Sequence, residues 1–352
     1  MVTKLTRKPA RASLDTIWFT RCPVPTATGL AFKLGWLETA LAEHGVKVAT
    51  LQESGRDELR RHHYDHDLPS LIREGGNMLA LGARAQGAPT RLVGLTWIDE
   101  RQSILVRPDS GVRTAADLKG RRLAVPTYAD HPIPEHLRGS SIARGMSLHG
   151  YKGALASAGL TFDDVELVEV ASRRRDPDDR RTGWALQELA DGEVDAVYVK
   201  GAAAVDAARR HGVVVGVDLD KLPEKRFRVN NGTPRPITVH QSLIDDHFDL
   251  LVTFLVETLR AAEWAKTNLD GVRQVLGAET RGSAAAVADA YRDGFHLSLH
   301  PDLSDERLAL FAEQKKFLWL HGFTDRDFAL DEWIDRRPLE AAYRRLNIQQ
   351  AA

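Results

Sequence analysis

Cysteine is nearly absent from this chain: 352 residues contain one, Cys22. An internal disulfide is therefore excluded, and nothing demands an oxidising compartment. A surplus of charge of either sign is missing too. The 48 Lys and Arg residues stand against 49 Asp and Glu, which gives no reason to expect nucleic acid or a membrane surface as partner. Long apolar runs are also lacking. The most apolar one, FDLLVTFLVETL at 248–259, is too short and too interrupted to span a bilayer. The basic opening MVTKLTRKPARAS is not followed by the apolar segment of a secretory signal, so a cytoplasmic protein is expected. There is no internal repeat and no low-complexity segment. What remains, 43% hydrophobic and 28% charged residues, describes a folded protein. Its length suits two ordinary domains or one large one, with a core that needs no staples.

Alternating patterns fill the first two thirds. LDTIWFTRC (14–22) reads as a buried strand, LAFKLGWLETALAEHG (30–45) as a helix stopped by Gly45, and VKVATLQ (46–52) as a second strand. Together they form a β-α-β unit with a right-handed crossover. The stretch at 68–87 reads as a helix interrupted by Gly75 and Gly76. Strands are expected at 90–98, 101–109, around 121–126, 165–170, in the second half of 184–201 and at 212–219. From Ile244 the pattern is helical, in pieces near 244–267, 269–277, 283–293, 304–320 and 330–346. The charged run RRRDPDDRR (173–181) reads as a solvated loop. Strands alternating with helices and then a helical tail predict an α/β fold. Extended segments near 101–109 and 217–240 would be two crossings between lobes. The first lobe would then be discontinuous, 14–105 plus 220–352, and the second would be 106–219.

The lone cysteine sits in FTRCPVPTATG (19–29). Pro23 and Pro25 hold the chain extended, so a helix can start only after Pro25, with Thr26 or Thr28 as N-cap. Cys22 is thus expected at the end of a strand and just before a helix N-terminus. Ligands of open α/β sheets sit at that end, and the field there favours a thiolate. The plainer reading is a small buried hydrophobe, and both readings stay open. RRHHYDHDLPSLIREGG (60–76) contributes His62, His63 and His66. The first and last are four apart, as zinc ligands on a helix would be, but Pro69 and the dense polar residues suggest a solvated loop and no metal. Alternatively one histidine acts with Cys22. Arg73, with Gly75 and Gly76 behind it, could hold an oxyanion bidentately while backbone N–H groups approach it, or could be a surface side chain.

Taken together, TRCPVP (20–25), a histidine in HHYDH, and the Arg73-Glu74-Gly75-Gly76 run resemble the 2'-hydroxybiphenyl-2-sulfinate desulfinase family of dibenzothiophene desulfurisation. The resemblance continues through RLVGLTWIDERQSILVRPDS (91–110), AADLKGRRLAV (115–125), DDVELV (163–168) and DGEVDAVY (191–198), and covers most of the chain. AADLKGRRLAV and DGEVDAVY also look like the sulfonate, nitrate and taurine solute-binding proteins of ABC importers and the thiamine-pyrimidine synthases. The resemblance implies a two-lobed, periplasmic-binding-protein-like (type II) α/β fold with an inter-lobe cleft and a helical C-terminal tail. It implies a catalytic set of Cys22, His63 and Arg73, with His62 as the fallback histidine, and substrate contacts at Gly76, Gly75 and Thr26. Where the family has a Trp-rich stretch, this chain has VKGAAAVDA (199–207), with Lys200 a polar newcomer; YADHPIPEHLRGSSIARGMSLHGYKG (128–153) aligns poorly. The substrate pocket is therefore expected to differ.

The expected activity is a cofactor-free cleavage of the carbon–sulfur bond of an aryl or related sulfinate, releasing sulfite. Cys22 would either attack sulfur or protonate the departing carbon. The partner is a small sulfinate or sulfonate-like anion; oligomeric state is not read from the sequence. Two rivals accompany this reading. A solute receptor of a sulfonate, nitrate or taurine importer would need an export signal. A single-turnover enzyme consuming Cys22 as sulfur donor would be expected to carry the cysteine-rich segment of the thiamine-pyrimidine family, which is missing.

Overall fold

The structure is a computed structural model that describes residues 14–21, 24–128, 141–171, 183–280, 282–292 and 294–348. The N-terminal basic segment, the charged run at 173–181 and residues 129–140 of the poorly aligning 128–153 segment lie outside the described residues. The chain opens with β1 (Thr16–Arg21), α1 (Ala27–Lys33), α2 (Trp36–Ala42), β2 (Lys47–Thr50), two short turns α3 (Asp57–Arg60) and α4 (His62–Asp65), β3 (Leu71–Glu74), α5 (Asn77–Ala85) and β4 (Thr90–Thr96). Then come β5 (Gln102–Val106), β6 (Arg122–Pro126), α6 (Ile142–Ser157), β7 (Glu166–Val170), α7 (Leu186–Ala190), β8 (Ala196–Lys200), α8 (Ala202–Arg210) and β9 (Val214–Asp218). β10 (Arg235–His240) leads into α9 (Gln241–Thr267), α10 (Leu269–Thr280), α11 (Ala284–Ala290), α12 (Asp305–Leu320) and α13 (Arg337–Leu346).

The strands form two five-stranded mixed sheets, β2-β1-β3-β10-β4 and β7-β6-β8-β5-β9. In the first, β1 runs parallel to β2 and β3, while β10 is antiparallel to β3 and β4. The second repeats the plan: β6 is parallel to β7 and β8, and β5 is antiparallel to β8 and β9. Each sheet thus takes its one reversed strand from the chain as it arrives from the other sheet. The passages run from Thr96 to Gln102 and from Asp218 to Arg235. Helices cover the sheets because parallel strands need both faces buried. Phe19 of β1 meets Phe254 of α9 edge-on at 5.6 Å, which fastens the long C-terminal helix over the first sheet.

Three expectations need correction. Residues 68–87 are not one interrupted helix: Leu71–Glu74 is an inner strand, and Gly75-Gly76 is the turn from it into α5. A strand buried at all four positions loses its alternation and imitates a helical pattern. The first lobe does not extend to 105, because Gln102–Leu105 pairs within the second sheet. Finally, the polar stretch at 56–67 folds into the turns α3 and α4 rather than an open loop.

The two passages meet at Lys200. Its Nζ lies 3.2 Å from Glu100 Oε2 on the first passage, 3.3 Å from Thr233 Oγ1 and 3.5 Å from Asn230 Oδ1 on the second. Glu100 also accepts the Tyr291 hydroxyl at 2.8 Å. Lys200 and Glu100 are both buried. Burial pulls the ammonium pKa down, and Glu100 opposes that shift. Removing one partner strands the other charge in a dry site. Lys200→Met should therefore cost about 3–5 kcal/mol, and adding Glu100→Leu should recover much of it. Urea unfolding midpoints of the single and double variants check this.

Candidate functional site

The carboxyl ends of β1 and β3 lie side by side, with Thr20 opposite Arg73 and Arg21 opposite Glu74 in the parallel register. Cys22 follows Arg21 directly in the chain; it and Pro23 lie outside the described residues. The chain on either side of it is firmly held. The Arg21 guanidinium makes a two-point ion pair with Glu279 of α10. The Arg21 carbonyl accepts Gln52 Nε2 at 3.1 Å. Downstream, Thr26 and not Thr28 is the N-cap of α1: its Oγ1 accepts the Gly29 N–H at 2.9 Å. Thr26 also helps satisfy the carboxyl of Glu74. Its hydroxyl is thus committed to the fold, which gives Thr26 a different task from the substrate contact expected of it.

His63 is brought to the same strand end. Its Nδ1 is 2.8 Å from Thr20 Oγ1, across 43 residues of sequence. Gln52 Nε2 donates to that same Oγ1 at 2.8 Å. The Thr20 hydroxyl carries two lone pairs, so it can accept from Gln52 and from Nδ1–H together; in that tautomer Nε2 of the neutral imidazole is the acceptor. Burial, with a smaller contribution from the Arg73 guanidinium, lowers the His63 pKa from 6.5 to about 3. The imidazole is therefore neutral near pH 7. His62 instead pairs its Nδ1 with Asp65 at 2.8 Å, and His66 turns Nε2 to the His63 carbonyl at 3.0 Å. The four-residue spacing of His62 and His66 does not build a ligand pair. Among the described residues no three His, Cys, Asp or Glu side chains gather as a metal site.

These buried imidazoles make stability depend on pH. His149 of α6, hydrogen-bonded to Gln314, is also lowered to about 3, chiefly by burial. Unfolded histidines take up protons below pH 6.5, while these two do so only near pH 3. The unfolded state thus binds more protons across that window, and stability falls as pH falls through it. Each group should contribute about 1.4 kcal/mol per pH unit within the window. Urea unfolding at pH 7.5, 6 and 5 should show the decline, and His63→Asn should make it shallower. A midpoint unchanged over that range contradicts the assignment.

Arg73 is 1% exposed, and its Nη2 donates to the Gly76 carbonyl at 2.8 Å. Glu74 faces the other side of the strand, as alternation requires. There it accepts Thr96 Oγ1 at 3.0 Å, and burial raises its pKa. The two glycines are required for space and not for dihedral freedom: Gly76 has φ −51. A Cβ on Gly75 would stand 2.9 Å from Arg73 Nη2, and a Cβ on Gly76 would stand 2.5 Å from Asn231 Nδ2. Asn231 holds the start of α5, its carbonyl accepting the Asn77 N–H at 2.7 Å and its Oδ1 the Met78 N–H at 2.9 Å. Those bonds occupy two of the N–H groups that open the helix. The Gly76 N–H has no partner among the described residues and remains available to an anion.

The structure thus gathers His63, Arg73, Gly75 and Gly76 at the strand end that leads into Cys22. Thr20, Gln52 and Asn231 went unnoticed in the sequence. A polar residue two before the cysteine was the only local signal for Thr20, and none existed for the other two. Lys200, expected in the pocket, is spent on Glu100 and the second passage.

Comparison with known proteins places the chain by family and fold. Residues 31–271 match the NMT1/THI5-like family. The 2'-hydroxybiphenyl-2-sulfinate desulfinase of Rhodococcus erythropolis is 30% identical over 91% of each chain. The crystal structure of the desulfurization enzyme DszB superposes with a TM-score of 0.73 at 26% identity, covering 94% of this chain and 99% of that one. A mutant of DszB in complex with biphenyl-2-sulfinic acid superposes with the same TM-score at 27% identity and the same coverage. The periplasmic aliphatic sulphonate-binding protein SsuA of Escherichia coli shares the fold at 17% identity, TM-score 0.65, over 92% of both chains. The chain therefore belongs to the NMT1/THI5-like family, as a relative of the 2'-hydroxybiphenyl-2-sulfinate desulfinases.

Proposed function

We propose that this protein is a cofactor-independent desulfinase that hydrolyses an aromatic sulfinate, R–SO2⁻ + H2O → R–H + HSO3⁻. One observation carries the reading. A buried arginine, an available N–H at a helix start and a neutral histidine converge at the strand end that Cys22 immediately follows. Arg73 and the Gly76 N–H hold the sulfinate oxygens, where fixed donors also meet the charge that develops as sulfite departs. With the ring proton on Nδ1 and donated to Thr20, Nε2 of His63 accepts the Cys22 proton and can return it, while Thr20 and Gln52 keep the ring in place. Cys22 then either attacks sulfur as thiolate, the carbon departing with the proton held on His63 and water hydrolysing the new S–S bond to sulfite and thiol, or delivers its own proton to the carbon, the SO2 so released taking up water to give HSO3⁻ while the thiolate regains a proton.

The relative that binds biphenyl-2-sulfinic acid supports an aryl skeleton, and the exchange of the Trp-rich stretch for VKGAAAVDA favours a different ring system. Sulfite release from a panel of aryl and alkyl sulfinates tests the function. Multiple turnovers with at least one aryl sulfinate are expected. No sulfite from any sulfinate, together with tight sulfonate binding, would make the protein a receptor like SsuA.

A further inference from the structure

We infer that Asn231 is an additional anion-binding residue, its side-chain Nδ2 completing the cradle made by Arg73 and the Gly76 N–H. The inference rests on the desulfinase reading of that site and names a donor from a distant part of the chain. Asn231 is carried on the second passage between the sheets, next to the Asn230–Thr233 bridge. The passage is held from the second-lobe side by Asn230, whose Nδ2 donates to Tyr198 Oη at 2.9 Å and to Gln102 Oε1 at 2.5 Å. From the first-lobe side it is held by Asn77, whose Nδ2 donates to the Asn230 and Pro234 carbonyls at 2.7 and 2.9 Å.

The orientation of the Asn231 amide follows from its partner. Oδ1 must be the atom that accepts the Met78 N–H; the whole amide lies over Gly76, with Nδ2 at 2.5 Å and Oδ1 at 2.8 Å from where a Cβ there would stand, and Nδ2 is the arm left to donate. No hydrogen bond to a described residue uses this Nδ2, and it is not among the sealed polar atoms lacking a partner. An amide that accepts a hydrogen bond on oxygen donates more strongly from nitrogen. Gly75 makes room for the guanidinium and Gly76 for the amide. The glycine pair thus brings one charged and one neutral donor to a single anion.

Asn231→Asp separates a donor from a structural cap. The carboxylate keeps an acceptor for Met78 and suits a helix N-terminus, so a purely structural role leaves binding and melting temperature unchanged. The donor role predicts an unchanged melting temperature, but a benzenesulfonate Kd and an aryl sulfinate KM raised at least about 30-fold by loss of the donor and repulsion of the anion. Asn231→Ala should weaken benzenesulfonate about 10-fold, with kcat falling less than kcat/KM. Binding by Asn231→Asp within twofold of wild type overturns the assignment alone. A wild type that neither binds benzenesulfonate nor releases sulfite overturns the desulfinase reading and this assignment together.

Discussion

Arg73→Ala is expected to reduce kcat/KM for an aryl sulfinate by at least about a thousandfold and to abolish detectable arylsulfonate binding. The side chain is buried at the strand end, so its charge acts with little solvent screening. The geometry is as important as the charge. The guanidinium lies against Gly75 and is steadied by the Gly76 carbonyl, and its planar shape is one that an ammonium cannot imitate. Arg73→Lys should therefore recover only part of the loss, staying about 10- to 100-fold below wild type. Steady-state kinetics and calorimetric binding of benzenesulfonate, with a melting curve for each variant, read this out. Near-normal binding by a folded Arg73→Ala protein would remove Arg73 from the site.

Cys22→Ser should separate the two functions that Arg73→Ala destroys together. Turnover is expected to fall by more than about a thousandfold, because an alkoxide is far less accessible than a thiolate near neutral pH. Benzenesulfonate should bind within about threefold of wild type, since the proposed oxygen contacts belong to Arg73, Gly76 and Asn231. Sulfite release at the wild-type rate by Cys22→Ser would refute the cysteine mechanism outright. A protein that binds sulfonates equally well with either residue and releases no sulfite with either would be a receptor whose cysteine only fills space.

Arg73 and Cys22 could both be singled out because their signals are local. Proline fixes the backbone around Cys22 through its own ring, and Gly75-Gly76 marks a turn. The spacing of Leu30, Leu34, Leu37 and Leu41 marks a helical face, although the structure breaks that stretch at Gly35 into α1 and α2. The helical tail was likewise readable, with α9, α10 and α12 falling close to the expected stretches. β3 was misread because burial on both faces erases the period of two that identifies a strand. β10 falls within the segment at 217–240 that the pattern gives as an extended crossing. Pro236 lies within it, and proline in a sequence argues against an inner strand.

The polar partners could not be read at all. Thr20 meets His63 across 43 positions, Gln52 reaches Thr20 across 32, and Asn231 caps Met78 across 153. Hydrophobic periodicity, caps and turns arise from interactions within a few residues, so the sequence by itself determined most of the element types and the α/β class. Which histidine faces that strand end, why both glycines must lack side chains, and that Lys200 is consumed by Glu100 were decided only by the tertiary structure. Each depends on where the chain crosses between two sheets, and a crossing brings together groups whose separation along the sequence carries no physical signal.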